Sequence, residues 1–245
     1  MIEHPGIYTI PMAEYHADPC PTPSLSASIA GELLTHSPAH AWFAHPRLNP
    51  AYQPEEDEKF DLGKAAHAYL LEGLTSVVIV EEKDWKKDVA KAAKKAAYAA
   101  GKIPLLAHRW GDVQAMAVEA RRSLALHRDG PTPLLGGVPE QTLVWQEAGG
   151  VWCRARPDWM HTPPGIQLLA DYKTTGAPAN PDAWTRGPVF SMGHDLQAAF
   201  YLRGLKVLTG EDASFRFVVQ ENFPPYALSV IGLGPDVLML AEKKR

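Results

Sequence analysis

The chain has 245 residues, 46% hydrophobic and 21% charged, with a formal net charge of −4; this suits one globular unit with a sizeable core and argues against a protein that coats nucleic acid by overall charge, leaving room for a local basic groove. Its two cysteines, Cys20 and Cys153, stand far apart and form no CxxC pair, so they indicate no disulfide framework or zinc site and cannot build a four-cysteine iron–sulfur cluster. The first residues lack a basic segment followed by an apolar one, and no stretch approaches the roughly 18 apolar residues of a membrane span, so a cytoplasmic protein with no membrane segment is expected.

The first half reads as helical. SLSASIAGELLTHS (24–37) offers serines as helix starts, SPAHAWFAH (37–45) places proline in a first turn, and FDLGKAAHAYLLEG (60–73) spaces apolar residues by three and four. PRLNPAYQPEEDE (46–58), rich in proline and acid, reads as an exposed loop. SVVIVE (76–81) predicts a short strand, while DWKKDVAKAAKKAAYAA (84–100) and residues 109–128 predict helices up to the break DGPTP (129–133).

The texture then changes to short runs between turn signals. EQTLVWQ, VWCRARPDWM and IQLLADYK predict three successive strands, with at least one pair forming a hairpin. A helix over 188–208 follows, then the strands SFRFVVQE and YALSVIGL around a Pro-Pro turn, and a last helix from DVLMLAEKKR. This order predicts an α+β fold in one domain over 1–245, helical from about 24 to 129 and carrying its sheet from about 139 to 232.

Along a strand, side chains alternate, so Asp171 and Lys173 share one face while Ala170 and Tyr172 share the other. If the strands before and after HTPPG pair as a hairpin, Asp158 comes beside Asp171. Two carboxylates so placed repel each other unless a cation intervenes. Oxygen ligands favour Mg²⁺, with Mn²⁺ as the alternative, and Mg²⁺ characteristically takes one or two protein carboxylates and leaves room for phosphate. Lys173 could hold the attacking water or stabilise charge developing on phosphate. An isolated Asp-x-Lys is more often a surface ion pair, and the wider constellation decides between the two.

Arg156-Pro157-Asp158, then Asp171-Tyr172-Lys173, then Gln197-Ala198-Ala199-Phe200-Tyr201 together resemble the PD-(D/E)XK nuclease superfamily, and within it the RecB-like branch that includes RecE, or exonuclease VIII. Gly63 to His67 resembles that branch's G-x-x-x-H helix and Glu140 its additional acid, and the likeness runs over about 24–232. The resemblance implies a central mixed sheet flanked by helices, with a helical amino-terminal half. It implies that His67, Asp158, Asp171 and the Tyr172 backbone carbonyl bind the metal, and that Lys173 is the catalytic lysine. Glu140 would act as a direct ligand or through water. Gln197 and Tyr201 would position DNA or the site.

Three readings of local character accompany these. His194, three residues before Gln197, falls on the same helix face and extends a row of donors toward phosphate. Lys87, Lys91 and Lys94 could track a DNA backbone, although solvated alanine–lysine helices look alike. The resemblance further implies an exonuclease degrading linear double-stranded DNA for phage-type recombination, a homo-oligomer, and a phage single-strand annealing protein as partner. An endonuclease, a single-strand-specific nuclease and a catalytically silent DNA-binding subunit remain alternatives.

Overall fold

The computed structural model describes residues 1–53, 61–73, 76–128, 132–163 and 167–244. The expected loop at 46–58 and the breaks at 129–133 and 163–165 lie partly outside these residues. The chain opens with β1 (Gly6–Tyr8) and α1 (Met12–His16), elements too short to leave a periodic signal. The Ser26 hydroxyl then accepts from the Ile29 N–H to start α2 (Ala27–Thr35). Ser37 does the same for the His40 N–H ahead of α3 (Pro38–Ala44), with Pro38 where a missing N–H costs nothing.

Next come α4 (Asp61–Leu71), β2 (Val77–Val80), α5 (Asp88–Ala99), β3 (Ile103–Leu106) and α6 (Ala107–Ala125). The strand β3, which pairs in parallel with β2 to make a separate two-stranded sheet, is absent from the sequence reading. Four residues, one of them proline, give no alternation to detect.

The second half contains β4 (Val138–Pro139), β5 (Thr142–Gln146), β6 (Trp152–Ala155), β7 (Trp159–His161), β8 (Leu168–Thr175), α7 (Pro181–Arg186), α8 (Pro188–Ser191), α9 (His194–Thr209), β9 (Ser214–Glu221), β10 (Leu228–Ile231) and α10 (Pro235–Lys243). Three expected strands have become five, because the first two each cross from one sheet to another. β5 and β6 join β1 in a sheet ordered β1-β5-β6, whereas β4 and β7 belong to a sheet ordered β10-β9-β8-β7-β4. The crossings fall at Glu140, whose φ of 57° is left-handed, and at Pro157, which cannot donate to a ladder. The single helix expected over 188–208 is likewise two, because Gly193 at φ 68° turns the chain between α8 and α9.

In the five-stranded sheet β8 and β9 are parallel and the other pairs antiparallel, so the sheet is mixed and α7 to α9 supply the crossover between its parallel strands. Leu169, Phe215, Phe217 and Val219 pack with Ala198 and Leu205 of α9 on one side. On the other, Tyr172 and Val218 meet Ala66 of α4 and Met116 and Leu124 of α6. The sheet is therefore sandwiched between α9 and the α4–α6 pair, as the α+β expectation requires.

Helix α9 also lies on the three-stranded sheet, where the Trp145 and Phe200 rings stand 5.0 Å apart. Gly204 allows this approach, since a Cβ there would lie 2.6 Å from the fully buried Trp145 ring. Alanine at 204 should gain about 1 kcal/mol of helix propensity yet lose about 1–3 kcal/mol to overpacking. Urea denaturation of Gly204→Ala is expected to show net destabilisation; a neutral result would mean that the indole can move aside.

Candidate active site

The register of the β7–β8 hairpin places Trp159 opposite Ala170, so Asp158 arrives beside Asp171 at the edge of the same ladder. Asp158 fixes this meeting by accepting a hydrogen bond at Oδ2 from the Tyr172 N–H, 2.6 Å away. Asp171 and Lys173 share a face of β8, as alternation demands, and form an ion pair. From α9, the Gln197 amide donates to Asp171 Oδ1 at 2.6 Å. From α4, His67 Nε2 stands 3.1 Å from Asp158 Oδ1 and 3.3 Å from Glu140 Oε1. Five of the expected residues thus converge on Asp158 and Asp171 from β8, the two crossings, α4 and α9.

Glu140 owes its position to its left-handed backbone and to an N–H donated to the Asp158 carbonyl at 3.1 Å. Arg156 grips its other oxygen, with Nε 2.6 Å from Oε2, while the same guanidinium donates to the Ile10 carbonyl and the Thr142 hydroxyl. The sequence reading quoted Arg156 only as part of a motif and gave it no role. Its signal is the alternation that places it two residues from Asp158.

The electrostatics follow from burial and crowding. Burial opposes the charged form of His67, but the Asp158 carboxylate and its hydrogen bond, with Glu140 and Asp171 behind, carry the imidazole up to about 9. Burial and the neighbouring Asp158 charge raise Asp171 to about 6 despite Lys173. Burial also acts against Asp158, which His67, Lys173 and the Tyr172 N–H together hold below the usual carboxylate range. Glu140 is raised by burial, with His67 and Arg156 opposing. Lys173, although buried, is raised by Asp171 and Asp158 and stays cationic.

The residues fit a hard cation. Glu140 Oε1 and Asp171 Oδ2 are buried without a hydrogen-bond donor, and a cluster of carboxylates with one imidazole is a common donor set for divalent ions. One ligand atom each from His67, Glu72 and Glu140 also lies within 4.8 Å of the others. Glu72 was missed because it is five residues beyond His67, a spacing that does not share a helix face.

The remaining expected residues sit farther back. Tyr201 is buried in the core beside α9, with its hydroxyl pushed well up by burial and eased by a hydrogen bond with Gln197. His194 is buried and stacked on Trp184, 5.2 Å away, which turns it from the surface donor of the sequence reading into a packing residue; burial and the Lys173 charge lower it to about 4. Lys87 pairs with Glu82 and Lys91 with Asp88, while Lys94 lies over the Trp85 and Tyr98 rings. These lysines belong to α5 and its start, which packs on the β2–β3 sheet.

A family model described as a PDDEXK-like domain of unknown function (DUF3799) matches residues 29–244, and the chain belongs to that family. Its core is a PD-(D/E)XK nuclease-like fold. A crystal structure of a candidate exonuclease from Eubacterium rectale aligns with 96% of this chain and 82% of that one at 13% identity and a TM-score of 0.61. A second solved structure, SSO0001, covers 76% of this chain and 84% of its own at 15% identity, with a TM-score of 0.30 that carries no argument. No curated protein matches the chain. Among the described residues no helix is long and apolar enough to cross a membrane.

The pairing of His67 can be read directly. In protein stripped of divalent ions, NMR titration should show its ring changing charge near 9, and Asp158→Asn should bring that midpoint down by about 1–3 pH units. An unmoved midpoint would mean that Asp158 is not its partner.

Proposed function

We propose that this member of a PDDEXK-like family is a divalent-metal-dependent deoxyribonuclease, an exonuclease of the RecE type that degrades linear double-stranded DNA. The observation that carries the reading is the convergence of Asp158 and Asp171 from adjacent strands with Lys173 on the same face and His67 opposite. The candidate exonuclease among its structural neighbours favours an exonuclease over other nucleases on this fold.

Asp158, Asp171, His67 and the Tyr172 backbone carbonyl would hold Mg²⁺ or Mn²⁺, with Glu140 beside them. Bound there, the ion supplies Lewis acidity toward the phosphate and lowers the pKa of an attacking water. The chain's own groups do the rest. Gln197 holds Asp171 by one oxygen and leaves the other facing the site. Lys173, kept cationic by Asp171 and Asp158, donates hydrogen bonds to the charge that grows on the phosphate oxygens.

As the water oxygen bonds to phosphorus, the bond to the 3′ oxygen breaks. The water releases a proton to solvent and the departing oxygen takes one up, leaving a 5′-phosphate and a 3′-hydroxyl. Tyr201 acts from behind, through Gln197. A homo-oligomer and a phage single-strand annealing partner belong to the same RecE-type reading, and the sequence motifs are their support.

The test uses linear and covalently closed duplex DNA of one sequence, with Mg²⁺ or with chelator. Acid-soluble nucleotide should appear only from the linear form and only with metal. Asp171→Ala and Lys173→Ala, folded by circular dichroism, should each lose at least about 100-fold of that rate. Cutting of the circle would make the protein an endonuclease; release unaltered in either variant would overturn the site.

A further inference from the structure

We propose that Glu72, with His67 and Glu140, forms a second divalent-cation position beside the Asp158–Asp171 pair. This rests on the nuclease reading for its neighbour, and it adds a ligand that neither the sequence motifs nor the nuclease proposal assigns.

The geometry begins with how α4 ends. Its last turn still closes, since the Glu72 N–H donates to the Ala68 carbonyl at 2.8 Å, but Gly73 follows at φ 84° and takes the chain away. Glu72 is therefore exposed at the rim while His67 lies one turn deeper. An oxygen of its carboxylate falls within 4.8 Å of ligand atoms from both His67 and Glu140.

An exposed acid near another acid is ordinary, and the case depends on Glu140. Its residue is only 8% exposed. One oxygen is committed to Arg156, whereas Oε1 is buried with no hydrogen-bond donor and faces His67 at 3.3 Å. A buried carboxylate oxygen left without a donor costs about 1–3 kcal/mol or more. A cation shared with Glu72 would satisfy it.

His67 stands between the two positions, since its Nε2 lies 3.1 Å from Asp158 and 3.3 Å from Glu140. The donor sets differ in kind. Asp158, Asp171 and a backbone carbonyl are all oxygen, which suits Mg²⁺. An imidazole with two carboxylates suits Mn²⁺ better, because imidazole ligands favour later metals. With Glu72 at the rim, the second ion exchanges with solvent.

Mn²⁺ titrations followed by electron paramagnetic resonance, without DNA, decide the matter. Wild-type protein should bind two ions per chain. Glu72→Gln should keep one and weaken the other at least about 10-fold, whereas Asp171→Asn should weaken the partner position and spare the Glu72 one. Glu72 is exposed, so Glu72→Gln should melt as the wild type does. Binding of two ions that Glu72→Gln leaves unchanged would overturn the proposal, as would a single ion sensitive only to Asp171→Asn. Binding of no ion by the wild type would remove the nuclease reading as well. Loss of activity in Lys173→Ala with two ions still bound would leave both standing.

Discussion

The hydrogen bond from the Tyr172 N–H to Asp158 Oδ2, 2.6 Å long, is the constraint on which the site turns. It uses a backbone donor of β8 at the point where β7 begins, so the strand register and the position of the first acid are set by one contact. The second acid is covalently next to the donor. Two carboxylates about 4 Å apart repel by about 4 kcal/mol at an effective dielectric near 20, and the surrounding cations answer that repulsion. Lys173 meets Asp171, His67 stands between Asp158 and Glu140, and Arg156 closes on Glu140. The directions of the pKa shifts are the same statement in another form: the cations are raised, and Asp158, the best-solvated by donors, is the acid held down.

Why the acids gather here follows from the sheet crossings. A hairpin that leaves one sheet for another must kink in both strands at the same level. The kinks occur at Glu140 and at Arg156–Asp158, joined by the Glu140 N–H on the Asp158 carbonyl. A glutamate at φ 57° is costly backbone, and such residues persist where the surroundings over-determine them. Arg156 does that by tying Glu140 to Ile10 and Thr142, and so ties the amino-terminal segment to the site.

Much of this was legible in the chain. Alternation put Asp171 and Lys173 on one face, proline and serine marked α2 and α3, and the three ordered motifs pointed to residues that do meet. What escaped has physical causes. The strand VWCRARPDWM reads as continuous because its apolar pattern runs through Pro157, and only a sheet crossing shows that the ladder stops there. The long helix over 188–208 hid Gly193, whose left-handed φ no periodicity reveals. His194 has a polar name and a buried, stacked ring, because helical spacing tells which residues share a face and not which face is covered. Glu72 lies past the end of its helix, where the 3.6-residue period no longer applies.

The depth of Tyr201 gives the last link. A hydroxyl buried against α9 cannot touch DNA, yet through Gln197 it reaches Asp171. Gln197 can hold Asp171 only if α9 is fixed, and α9 is fixed by packing on two sheets at once. Phe217 and Leu169 press on it from the five-stranded sheet, and Trp145 from the three-stranded one through the gap left by Gly204. Glycine there and tyrosine three residues earlier therefore serve the same end by different means. One lets the helix approach and the other braces the amide that the approach delivers. A polar contact 2.6 Å long at the site thus depends on apolar packing more than a helical turn away, which is why the motif's tyrosine is buried and not exposed.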